Sequence, residues 1–167
     1  MTLNWADLVQ NPHELLALYS ELPGLDSVTV RSVHLNSYGP ALTLRVDLPA
    51  FPSNPPEEWL AAGRNRLQLH IQFIAVAHLE MTGWGPHASA DIAIADAGAC
   101  RIAVRIDSSS FVLTFEASDA IVVGHPSVFS AGEDGSDSGP HQFLKRLDAR
   151  KFEKIPAADE KTFYEHI

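Results

Sequence analysis

Leu42-Thr43-Leu44-Arg45-Val46-Asp47-Leu48 and Leu67-Gln68-Leu69-His70-Ile71-Gln72-Phe73 alternate apolar and polar residues at every position. A period of two sends alternate side chains to opposite faces of an extended chain, so both stretches read as strands with one packed and one wet face. On that reading Asp47 and His70 face water, His70 between Gln68 and Gln72. Working outward, Ile92 and Ile94 follow Asp91 at the same period. Cys100, Ile102, Val104 and Ile106 alternate with Arg101, Ala103, Arg105 and Asp107, and Phe111, Leu113 and Phe115 with Val112, Thr114 and Glu116. Parity places Cys100 on the packed side, where a cysteine acts as a small inert hydrophobe. Residues 120–123 read as a last strand.

The connections are short, with Gly39-Pro40, Gly98 and Ser108 to Ser110 at the bends. Short loops suit hairpins and exclude crossover helices, so neighbouring strands run antiparallel. Alternation fails at Ile74-Ala75-Val76-Ala77, which predicts a bulge or a turn, with two strands joined near Ala77. The expected fold is mainly β (α+β): an antiparallel meander forming a curved sheet or partly open barrel.

Helices are expected at the ends. Asn4 and Asn11 suit helix starts, the second supported by Pro12 and Glu14, and Leu15, Leu18, Tyr19 and Leu22 follow at helical spacing before Pro23-Gly24. A proline-rich excursion, Pro49 to Pro56, leads into a short helix around Trp59 that exits at Gly63. From Ser130 to Pro140 the chain is polar, small and acidic, the composition of a flexible linker. Beyond it Phe143, Leu144, Leu147 and Phe152, interleaved with Lys145, Arg146, Arg150 and Lys151, read as one amphipathic helix. The expected organisation is a β-rich body over 1–129, a linker over 130–141 and a helical tail over 142–167.

The chain has 167 residues and a formal net charge of −9, with 13 acidic and 6 basic side chains up to Val128. That balance argues against a nucleic-acid backbone or an anionic membrane as partner and favours a basic protein. Met1 to Asp7 lacks the basic start of a secretory signal, and no apolar run approaches about 18 residues, so a cytoplasmic location is expected. A lone cysteine can neither close an internal disulfide nor hold zinc by itself.

Catalytic signatures are weak. Gly83-Trp84-Gly85-Pro86-His87-Ala88 fits the letters of a dinucleotide fingerprint, but a proline and then a strand pattern follow where a helix N-terminus is needed. No histidine pair has zinc-protease spacing. Asp47, Asp91, Glu116 and Asp119 read as solubilising charges on a wet sheet face. The expectation is a protein without catalytic residues, cofactor or metal. The candidates for binding a partner are Asp47, His70, Asp91, Glu116 and Asp119 on the wet face, and Trp59 in the excursion beside it.

The order Trp5-Ala6-Asp7-Leu8, Val33-His34-Leu35, Gly39-Pro40, Leu44-Arg45-Val46-Asp47-Leu48-Pro49, Phe51-Pro52, Pro55-Pro56 and Trp59 continues through Gln68-Leu69, Ala75-Val76, Thr82-Gly83-Trp84, Ala117-Ser118-Asp119 and Gly124-His125. This series resembles the immunity protein 50 family, predicted antidotes of bacterial polymorphic toxin systems. The resemblance spans about residues 3–128. It implies a single domain that binds and neutralises a cognate protein toxin, with no catalytic or toxin-binding residues to transfer. The segment after Ser130 departs from it. Two other readings stand beside this one. In the first, a small-molecule-binding or cyclase-like β-barrel is lined by Phe73, Phe111, Phe115 and Trp84. In the second, the tail helix docks in another protein's groove.

Overall fold

The computed structural model describes residues 2–167. After a single 3-10 turn at Trp5–Asp7 and helix α1 (His13–Leu18), the chain forms β1 (Val28–Asn36) and β2 (Ala41–Asp47), then helix α2 (Glu57–Ala61). Six strands follow: β3 (Arg66–Ile74), β4 (Ala77–Gly83), β5 (Ala88–Gly98), β6 (Arg101–Ser108), β7 (Phe111–Ser118) and β8 (Val122–Phe129). The chain finishes with β9 (His141–Phe143), α3 (Arg146–Lys151) and α4 (Lys161–Tyr164). No helix among the described residues is long and apolar enough to cross a membrane.

All nine strands join one curved, unclosed antiparallel sheet in the order β4-β7-β6-β5-β1-β2-β3-β8-β9. Two three-strand meanders, β1-β2-β3 and β5-β6-β7, meet through a short pairing of Val28–Val30 with Ala88–Ala90. The break read at Ile74 to Ala77 lies between β3 and β4, but these two do not pair with each other. Left-handed backbone at Ala75 (φ 54°) and His78 (φ 53°) redirects the chain, and β4 crosses to the far edge to pair with β7.

The alternation predicts the concave face correctly. Leu42, Leu44 and Val46, with Leu69, Ile71 and Phe73, meet Ile102, Val104, Leu113 and Phe115 across the curve, all buried. Phe73 and Phe115 touch edge to face at 5.0 Å, so the two ends of the sheet share one core. Each such side chain stabilises by about 1.5–3 kcal/mol on leaving water. The interior is filled by side chains, which removes the support for a ligand-holding barrel. Trp59, from α2, lies in this same cluster and is buried.

The convex face is where expectation and structure part. Every residue of β2 is buried, Thr43, Arg45 and Asp47 included, because the chain after Phe129 folds back over β1, β2, β3 and β8. Residues 142–167 form a short strand and two separate helices, not one continuous helix. Ring contacts of Phe163 with Phe143 and Phe152 make a second small core beneath them. Residues 130–140 are irregular yet seated, with the side chain of Asp137 buried.

Two local devices escaped sequence reading. Asn11 does not cap α1; its amide donates to Val123 O (2.8 Å) and accepts from Val123 N (3.0 Å), clamping the N-terminal segment to β8. Cys100 is exposed, since Ala99 and Cys100 adopt φ of 51° and 59° and form the two-residue turn between β5 and β6. Two successive left-handed residues match the twist of a tight hairpin, and the parity count does not survive such a turn.

Candidate functional site

Two convex surfaces hold the candidate residues. The first is the layer beneath the C-terminal segment. Arg31 and Arg45 stand on adjacent strands, offset by the bulge in β1 that pairs Ser32 with Arg45. Asp47 accepts from Arg31 Nη2 at 2.5 Å, from Arg31 Nε at 3.2 Å and from Gln68 Nε2 at 2.9 Å. Arg66 adds a contact at 3.3 Å. Asp137 comes down from the C-terminal segment to Arg45 and Gln68, and Arg31 also donates to Gly135 O. Charge-assisted bonds of this kind offset the high cost of dehydrating ions. The Asp137 carboxyl is held below the usual carboxylate range: burial opposes this, and the Gln68 and Arg45 hydrogen bonds with both arginine charges outweigh it.

Beside this network sits a histidine cluster. His70 is 1% exposed, with Phe163 at 4.5 Å, His125 at 5.2 Å and Tyr164 at 5.8 Å between ring centres. Among the described residues neither ring nitrogen has a hydrogen-bond partner. Burial, then the nearby His125, Arg45 and His34, hold the His70 imidazole well below its ordinary value. His141, which contacts Ser127 and the Asp137 carbonyl, is also lowered, by burial first.

A pH dependence follows. The unfolded chain protonates each histidine near pH 6.5, whereas the fold keeps His70 and His141 neutral to lower pH. The unfolded state therefore binds more protons as pH falls, and stability falls with it. Urea titrations are expected to show level stability above about pH 6.5 and, below it, a loss of up to about 1.4 kcal/mol per pH unit for each of the two. A His70→Phe variant isolates one contribution: its slope should be shallower, and an unchanged slope would place the loss elsewhere.

The second surface is the outer face of β4, β7, β6 and β5, which no helix or strand among the described residues covers. The register sets Glu80 beside Thr114 and Thr114 beside Arg105, then Glu116 beside Ala103 and Ala103 beside Ala95. Asp91 stands directly opposite Asp107. Like charges opposite one another across a sheet are destabilising. Here Arg105 grips Asp107 at 2.7 and 2.9 Å, and Asp91 accepts from Ser27 N at 2.8 Å. Ala93, Ala95 and Ala103 leave a shallow groove of about 500 Å³, rimmed by His78, Glu80, Glu116 and Arg105.

The six sequence candidates therefore divide. Asp47 and His70 are not on a wet face: both are sealed under the C-terminal segment. Trp59, 4% exposed, is a core residue and not an anchor. Asp91 is exposed, and Glu116 and Asp119 are partly so. Asp91 and Glu116 share the outer face, while Asp119 sits past its end, its N–H donating to Cys100 O. Sequence reading missed Glu80, which reaches this face because β4 pairs with β7 and not with its neighbour β3, and Asp107, which the β5–β6 hairpin sets opposite Asp91.

No curated protein and no solved structure matched the chain. A family model did, that of immunity protein 50, over residues 11–128. The matched stretch runs from the Asn11 clamp to the penultimate residue of β8, leaving the covering segment outside it. The chain belongs to the immunity protein 50 family.

Proposed function

We propose that this chain binds and neutralises a protein toxin without catalysis, and that the outer face of β5, β6, β7 and β4 makes the contact. The observation that carries this is the uncovered acidic sheet face in which Asp91 opposes Asp107. Arg105 already offsets Asp107, so a docking cation finds the charges of Asp91, Glu80 and Glu116 on this face. Family membership supports a toxin as the partner in general, and the acidic face supports a basic surface on it. A field of this sign raises the association rate more than the affinity.

Where a candidate toxin domain is encoded beside this chain, cells expressing it are expected to grow only when this protein is co-expressed. Asp91→Lys with Glu116→Lys is expected to weaken binding by at least about tenfold and to flatten the salt dependence of the association rate. Absence of binding and protection, or full affinity in the double variant at low salt, would overturn this reading or its placement respectively.

A further inference from the structure

β4 forms one edge of the sheet, and among the described residues nothing pairs with its outer side. The opposite edge is treated differently. β9 is three residues long, the N–H of His141 donates to Glu153 O, and α3 packs beside it. An open row of main-chain donors and acceptors invites another strand, and proteins usually blunt such an edge with lysine, proline or a cover. Ala77-His78-Leu79-Glu80-Met81-Thr82-Gly83 carries no lysine, arginine or proline. Its irregularities are the register shift before Glu80, where His78 is left-handed (φ 53°), and Gly83 at the end (φ 75°); residues 80–83 still pair in register with β7. Apolar side chains gather along it instead: Leu79 is 37% and Met81 39% exposed, and Ile74 and Trp84 are exposed at its two ends.

We infer that β4 accepts a β-strand from the basic protein partner, which adds to the sheet and extends the acidic outer face; this rests on the toxin-binding role proposed above. Main-chain pairing supplies attachment, and alternate side chains supply selectivity. On the outer side the incoming strand meets Glu80, flanked by Glu116 and His78, so it carries lysine or arginine there. On the concave side it meets Leu79 and Met81, so its alternate residues are apolar. A second copy of this chain fits poorly. Two-fold antiparallel pairing about Glu80 sets the two Glu80 carboxylates opposite one another, and a shift of two residues leaves them diagonal. Either way two acidic faces of a chain carrying −9 are joined.

The test uses the full chain and the toxin domain identified by the co-expression experiment above. Amides of residues 79–83 are expected to gain hydrogen-exchange protection in the complex, and Met81→Lys, an edge-blocking change at an exposed position, to weaken binding by at least about tenfold. Leu16→Lys, at an exposed apolar residue of α1, should leave affinity unchanged. A complex that forms with the β4 amides still exchanging freely, or with Met81→Lys at full affinity, would overturn the strand proposal and leave the toxin-binding role standing. Failure to form any complex would remove both. Concentration-dependent dimerisation that protects the same amides without toxin would assign the edge to a second copy and overturn the inference.

Discussion

Asp47→Ala is expected to destabilise the protein by about 3–5 kcal/mol, measured by urea unfolding at neutral pH. The substitution strands Arg31, whose side chain is fully buried and would then have Asp137, at 3.9 Å, as its nearest carboxylate. A buried guanidinium cannot shed its proton, so the fold must either open to hydrate it or carry the unpaired charge. Gln68 loses one of its two acceptors as well. The size of the effect belongs to breaking the pair and not to the pair's own contribution. Arg31→Met together with Asp47→Leu is therefore expected to recover most of the loss, since an apolar replacement of a buried ion pair is often neutral. A loss under about 1 kcal/mol for Asp47→Ala would mean that water reaches this layer.

The second large effect is expected at Phe163. Its ring contacts His70, His125, Phe143, Phe152 and Tyr164, and it is 1% exposed. Truncation of such a phenylalanine costs about 3–5 kcal/mol where the surroundings cannot collapse. Here the cost falls on one segment. α4 is four residues long and α3 six, too short to persist as isolated helices, so both depend on the small aromatic core. In Phe163→Ala the amides of β9, α3 and α4 are expected to lose exchange protection by local opening, while β5, β6 and β7 keep theirs. Equal loss in both regions would show that the covering segment and the sheet unfold as one unit.

The apolar side of the sheet was legible because a period of two is a local property, and a buried Leu44 or Phe115 follows from it. What lies over the polar side is not local. Thr43, Arg45, Asp47, Gln68 and His70 have the composition of a wet face, and only tertiary structure brings Asp137 and Phe163 over them. A signal was present all the same. The six cations up to Val128 are all arginine, and all four lysines come later. Arginine's fixed fork suits buried bidentate pairing, whereas lysine is strongly hydrated, so arginines on two alternating strands pointed towards burial. The order of strands was not legible, because β4 joins β7 and β8 joins β3 through contacts distant in sequence. That order assembles Glu80, Glu116, Asp107 and Asp91 into one face.

The tight turn at Ala99-Cys100 carries a practical consequence. The only thiol of the protein sits exposed on a hairpin tip, with its backbone carbonyl held by the N–H of Asp119. Maleimide chemistry at neutral pH therefore attaches a single fluorophore to the unaltered chain at a defined point, giving a common origin for distance measurements within the protein and to whatever is added to it.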